Sequence, residues 1–195
     1  MSDTGLDPRA SRSRRALLDA AISLFLQNPA ASLSDVAQTA RVGRATLYRH
    51  FSTREQLIRE LAIESLQETD AVLKPIHEAG LSARQTLERG LVEVIRIADR
   101  FRFLLSLWSI VEGDDEVEHI YQRQLDDLVN LINAAKAEGA IDNNLSTAWI
   151  VSLVDSLIYA GWWAIQKGEM SAQEAGAHAV KVLFDGVAPV KFTGK

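Results

Sequence analysis

The chain has 195 residues, is 47% hydrophobic, contains no cysteine and carries a net charge of -5. It is long enough to bury a core in one large or two small domains. The missing cysteines exclude disulfides and thiolate chemistry, and leave only histidine and carboxylate as ligands for any zinc. No run of eighteen apolar residues without charge is visible, so no membrane span is expected. The polar, arginine-bearing first fifteen residues lack the apolar stretch of a secretory signal, and a cytoplasmic protein is the expectation.

The net charge argues against a nucleic-acid partner until its distribution is examined. Residues 9 to 59 hold nine arginines against Asp19, Asp35 and Glu55, a local balance of +6. Residues 60 to 195 hold 12 basic and 21 acidic residues, a balance of -9. A cationic head on an acidic body suits a chain that touches polyanions with one end only. Arginine, the only basic residue type in the head, forks onto phosphate or guanine.

In chain order, residues 1–10 are expected to form a disordered arm. The first helix runs from about Ser11 to Gln27, with Leu17, Ala20, Ala21, Leu24 and Phe25 on one face, and Asn28-Pro29 ends it. Ser32 with Asp35 starts the second helix as a capping box. Thr53 with Gln56, Ser82 with Gln85 and Ser171 with Glu174 repeat that signal, marking helices over 53–74, 82–99 and 171–186. Further periodic segments lie at 101–112, 115–138 and 146–167, with Gly139 and Gly168 at C-terminal caps. No strand alternation is visible. The fold class is therefore all-α with about nine helices, divided into a head at 11–52 and a helical body at 53–195.

Within the head, Val36, Ala37, Ala40, Val42, Leu47 and Phe51 can fill a small core beneath two short helices joined by a tight turn. The outer face of the second short helix presents Arg44, Ala45, Thr46, Tyr48 and Arg49, a plausible major-groove reader of double-stranded DNA. Arg44 can fork onto guanine O6 and N7, and Thr46 can meet a thymine methyl or a phosphate. Tyr48 and His50 have the reach for phosphate oxygens, and Arg54 adds charge at the next helix start. Singly, Tyr48 also reads as a structural aromatic, His50 as a cap or core residue and Arg54 as a solvated helix residue. The joint pattern favours DNA.

Residues 12–60 resemble the N-terminal domain of the tetracycline-repressor (TetR) family of bacterial transcriptional regulators. The resemblance is carried by Ser32-Leu33-Ser34-Asp35-Val36-Ala37, Ala40-Arg41-Val42, Thr46-Leu47-Tyr48-Arg49-His50-Phe51 and Thr53-Arg54-Glu55-Gln56-Leu57. It implies phosphate contacts from Tyr48, His50 and Arg54, base contacts from Arg44, Ala45 and Thr46, and a DNA contact from Ser34. Three departures stand out. Arg41 replaces the usual turn glycine, where a positive φ costs a non-glycine residue roughly 1 kcal/mol. Arg54 replaces a lysine, and Gly43 stands where serine or threonine often caps.

In the body, the two C-terminal helices are apolar most of the way round and so must be buried on more than one side. Packing within one subunit accounts for this. The pair also suits a two-fold four-helix interface, and the family resemblance implies one; Leu157, Gly161, Ala164, Ala175, Ala179 and Leu183 are its candidates. Phe103, Trp108, Tyr121, Asp155, Tyr159 and Trp162 are candidates for an effector site, since the body generally binds an effector in this family. The aromatics also read as plain core. Asp155 either meets a ligand or pairs with an arginine such as Arg96 or Arg100. The carboxylate run from Glu112 to His119 is explained by the dipole of the helix it opens, not by a metal. No nucleophile-base-orienter set points to catalysis, and no cofactor is implied.

The reading is a homodimeric regulator, a repressor rather than an enzyme. It would bind a pseudo-palindromic operator and be released by a small apolar or amphipathic effector, working in the bacterial cytoplasm and on the nucleoid when bound. One alternative is a DNA-binding dimer governed by abundance or a protein partner. A weaker one is an all-helical enzyme using the body aromatics.

Overall fold

The computed structural model describes residues 8–186, and among these nine helices and no strand occur. They are α1 (Pro8–Gln27), α2 (Leu33–Thr39), α3 (Arg44–His50), α4 (Arg54–His77), α5 (Ala83–Arg96), α6 (Ala98–Val111), α7 (Asp115–Ala137), α8 (Thr147–Gln166) and α9 (Ala172–Asp185). Residues 1–7 of the expected arm lie outside the described residues, and residues 8–10, expected to be disordered, open α1.

Local signals set most of these boundaries. Ser32, Ser82 and Ser171 each accept a hydrogen bond from the backbone N–H three residues on, and the side chain there accepts one in return. At α4 the pattern slips by one residue. Thr53 Oγ1 accepts from the Gln56 N–H at 3.1 Å, but Gln56 Oε1 accepts from the Ser52 backbone and hydroxyl at 2.8 and 2.9 Å. Helix α4 runs three residues past the expected stop and takes in Pro75. A proline in the last turn forfeits one ladder bond, and the turn still closes with Glu78 N–H donating to the Lys74 carbonyl at 3.0 Å. Gly139 and Gly168 do adopt positive φ, 74° and 69°, at the ends of α7 and α8.

The chain forms two compact units. The expected boundary at 52/53 is not where the chain divides: the first unit continues to Ser65 and also contains Asp99–Glu118, and the second holds Leu66–Ala98 and the chain from His119. The first unit packs Leu17, Leu18, Ala21 and Phe25 of α1 with Val36, Leu47, Phe51, Leu57, Ile58 and Leu61, all buried. Phe103 completes this core with its ring stacked on Phe25 at 6.4 Å. Around the core, Arg14 pairs with Glu60 at 2.8 Å, and Arg59 pairs with Asp114 and Glu116, each at 2.6 Å.

In the second unit α8 and α9 both pack on α5. Close approach depends on two glycines. A Cβ at Gly161 would lie 3.1 Å from Ile95 Cγ2, and one at Gly176 would lie 3.0 Å from Val92 Cγ2. Ile132 and Ala135 of α7 share a buried cluster with Ile150 of α8 and with Ala83 and Leu87 of α5. Glu138, just past α7, caps α5 by accepting the N–H bonds of Ala83 and Arg84 at 2.8 and 3.3 Å.

Helix α8, with a mean hydropathy of 1.4, is the one described helix long and apolar enough to cross a membrane by length and composition. Asp155 interrupts its apolar run, so the helix contains no charge-free stretch of eighteen apolar residues. Ile150, Val154, Ile158 and Gly161 form its buried stripe.

Candidate nucleic-acid interface

Helix α3 is positioned by a turn that only an unusual backbone allows. Arg41 has φ 54°, the one positive φ at a non-glycine residue in the described chain. In that conformation the N–H groups of Arg41 and Val42 donate to the carbonyls of Gln38 and Ala37 at 3.1 and 2.9 Å, closing the end of α2. Gly43 then serves as N-cap of α3 without a side-chain bond, and Leu47 anchors the helix in the core.

With Leu47 facing inward, the other side of α3 faces solvent. Arg44, Ala45, Tyr48 and Arg49 are exposed, Tyr48 by 52%, and Thr46 and His50 are half-buried. Arg49 Nη2 donates to Thr46 Oγ1 at 3.0 Å, so these two side chains present one joint surface. The His50 ring lies 6.1 Å from that of Phe51. Ser34, in the first turn of α2, is half-buried. Asp35 is the acidic neighbour, and the Ser32 backbone and hydroxyl bonds hold its carboxyl below the usual carboxylate range.

Arg54 does not present an open fork. Its Nε donates to the Ala31 carbonyl at 3.0 Å, its Nη2 donates to the Pro29 carbonyl, and its guanidinium lies 5.1 Å over the Phe25 ring. The sequence shows a basic residue at the start of a helix and nothing of these carbonyls, which come from 23 and 25 residues earlier.

The effector candidates divide between the units. Phe103 and Trp108 belong to the first, and Phe103 is a core residue, 1% exposed and stacked on Phe25. Tyr121, Asp155, Tyr159 and Trp162 belong to the second. Asp155, Tyr159 and Trp162 recur at i, i+4 and i+7 along one flank of α8, with the Tyr159 and Trp162 rings 6.0 Å apart. Burial pushes the Asp155 carboxyl up, and burial together with the Asp155 charge pushes the Tyr121 phenol up. Neither arginine weighed as a partner for Asp155 takes that role: Arg96 pairs with Glu93 at 3.0 Å and Arg100 with Asp19 at 3.2 Å.

Three of the interface candidates are corrected. Gly161, Ala175 and Ala179 are buried within the subunit, and Leu183 packs partly buried against the cluster around Ile132. Gly161 admits Ile95 of α5, and Ala175 and Ala179 are covered within the subunit. Leu157 and Ala164 are half-buried. The apolar surface left open on α8 lies opposite its buried stripe, with Trp149 63% and Trp163 48% exposed and Ala160 between them in sequence. The sequence signal for that face was the position of both tryptophans off the Ile150–Val154–Ile158 repeat. The carboxylates after Glu112 also have structural work: Asp114 and Glu116 bind Arg59, and Arg59 holds the Asp114 carboxyl below its usual range.

Residues 17–61 match the sequence model of the family described as bacterial regulatory proteins, tetR family. The chain is 27% identical to the transcriptional repressor LfrR of Mycolicibacterium smegmatis, over 80% of this chain and 81% of that one. It is 24% identical to a probable acrEF/envCD operon repressor of Escherichia coli K12, over 89% and 86% of the two chains. Among solved structures it is similar to LfrR in complex with proflavine, at a TM-score of 0.75 and 24% identity over 92% of this chain and 98% of that one. It is also similar to a TetR family regulator from Marinobacter aquaeolei VT8, at a TM-score of 0.71 and 20% identity over 92% and 97%.

Proposed function

We propose that the chain is a member of the tetR family of bacterial regulatory proteins, whose sequence model its residues 17–61 match, and that it is a repressor that binds a pseudo-palindromic operator as a homodimer and leaves it on binding a small effector. The observation that carries this reading is the outer face of α3. Arg44, Ala45, Tyr48 and Arg49 stand exposed, with Thr46 half-buried beside them, on a helix that Leu47 and the Arg41 turn hold in place. Arg44 to Thr46 meet base edges, where an arginine fork and a threonine methyl can discriminate. Tyr48, His50 and Ser34 meet the phosphate backbone, which orients the head without reading sequence.

One α3 reads too few bases for useful affinity, so two copies act together, their reader helices about 34 Å apart on successive major grooves. The exposed α8 face with Trp149 and Trp163 is where the second copy packs. An apolar or amphipathic effector binds the second unit beside Tyr121, Asp155, Tyr159 and Trp162. Its differential affinity for the DNA-competent and released states shifts the dimer between them. Helix α4, whose residues to Ser65 belong to the first unit and the rest to the second, carries the signal. The protein then works in the cytoplasm, on the nucleoid when bound.

The test is anisotropy titration of an operator selected from random duplexes. Tyr48→Phe weakens binding similarly across sequences, and Arg44→Ala relaxes base preference at one position of each half-site. An unchanged consensus for Arg44→Ala together with unchanged affinity for Tyr48→Phe at moderate salt would remove α3 as the reader.

A further inference from the structure

Arg41 holds the one positive φ, 54°, at a non-glycine residue of the described chain, a conformation that glycine adopts without strain. Its side chain does not support the fold. It is exposed, and among the described residues it makes no hydrogen bond, ion pair or ring contact; only the backbone N–H is bonded, to the Gln38 carbonyl. Strain that the fold does not use points to a role outside the fold. Most other arginines of the head are committed. Arg14 pairs with Glu60 and Glu64, Arg15 with Asp19 and Glu64, and Arg59 with Asp114 and Glu116. Arg54 is bonded to the Ala31 and Pro29 carbonyls, and Arg49 to Thr46. Arg41 and Arg44 have no such bond, and both are exposed, on either side of the Gly43 cap from which α3 starts.

We propose that Arg41 is a phosphate-contacting residue of the DNA interface, supplying from the turn the cation that Arg54 has turned inward. The inference rests on the DNA-binding reading above and extends it to a position where the family pattern has glycine. With the first turn of α3 in a major groove, the residues that lead into it lie at the groove's edge, where a guanidinium forks onto phosphate oxygens. Such a contact carries no sequence information. Arg41 therefore sets affinity and salt dependence, while Arg44 to Thr46 set the consensus. Glycine at this position relieves the strain and removes the charge with it.

The test is anisotropy titration of the selected operator, and of a scrambled duplex of the same length, over about 50 to 300 mM salt. Arg41→Gly and Arg41→Asn both suit the positive φ and drop the charge, whereas Arg41→Lys keeps it. Both neutral variants are expected to bind either duplex roughly tenfold or more weakly at about 0.1 M salt, with a salt slope smaller by about one unit for each copy bound. The selected consensus stays the same, and Arg41→Lys keeps the wild-type slope. Wild-type affinity and slope in both neutral variants overturn the proposal; if Arg44→Ala and Tyr48→Phe behave as expected above, the DNA-binding reading stands without it. Weaker binding with an unchanged slope also overturns it, because that marks a changed angle between α2 and α3 and no lost phosphate contact. A changed consensus in the neutral variants overturns it in favour of a base-reading arginine.

Discussion

The Arg54 guanidinium donates to the carbonyl of Ala31 at 3.0 Å, tying the first residue of α4 to the turn that follows α1. A second donor reaches Pro29, and the Phe25 ring lies beneath. Lysine has no planar fork and cannot make this double bond in the same geometry. Removing a charged donor leaves two carbonyls short of partners, so Arg54→Ala should destabilise the protein by about 1–3 kcal/mol, with Arg54→Lys in between. Urea unfolding monitored by circular dichroism measures this. Because the fork is committed inside the head, the salt dependence of operator binding should stay at the wild-type slope. A slope smaller by about one unit would show that Arg54 contacts a phosphate instead.

What the sequence revealed and what it hid divide along the range of the interactions. Capping boxes act over three residues, and Ser32, Ser82 and Ser171 were all legible. The strained turn was legible too, since an arginine at a glycine position can close it only with positive φ. Long-range partners were not. A stripe of glycine and alanine on α8 and α9 says that some backbone comes close, but not whether it belongs to α5 or to a second copy. Phe103 illustrates the same limit, because an aromatic at helical spacing carries no sign of the Phe25 ring that stacks on it. Arg54 combined both: its charge was evident, and its partners 23 and 25 residues away were not.

Arg41 stores a small, removable strain. At φ 54° its Cβ crowds its own backbone, which costs roughly 1–2 kcal/mol relative to glycine. Glycine loses more chain entropy on folding, which cancels part of the gain. Arg41→Gly should therefore stabilise the protein by up to about 1 kcal/mol, and the β-branched Arg41→Val should destabilise it. Paired urea denaturation midpoints decide the sign. A destabilised Arg41→Gly would mean that the arginine side chain itself supports the turn.

Two caps link stability to acid. The Asp35 carboxylate accepts from the Ser32 N–H at 2.8 Å, and that of Glu174 from the Ser171 N–H at 2.9 Å. Backbone and then hydroxyl bonds hold both carboxyls below their ordinary range. A folded-state pKa below the unfolded one contributes stability that is present above the unfolded value, near 4, and lost as pH falls through the folded one. Asp35→Asn and Glu174→Gln should each melt below the wild type at pH 7, and the gap should narrow below about pH 4. Melting temperatures across pH 3 to 7 test this, and a gap constant over that range would mean that the caps do not titrate with folding.

Gly176 tests the reassignment of the small residues most directly. An added Cβ there would lie 3.0 and 3.1 Å from the Val92 methyls and 3.2 Å from the Val92 Cα, so backbone must move as well as side chain. Such overpacking typically costs about 1–3 kcal/mol, against a gain of about 1 kcal/mol in helix propensity from glycine to alanine. Gly176→Ala should come out net destabilising. Gly161→Ala meets only Ile95 side-chain atoms, the nearest at 3.1 Å, and should lie close to neutral because the two terms are then comparable. If these glycines instead faced a second copy, Gly176→Ala would weaken self-association with little effect on the stability of the subunit. Sedimentation of the two variants beside their urea midpoints separates the cases, and the expected result is a lowered midpoint for Gly176→Ala with an unchanged association constant.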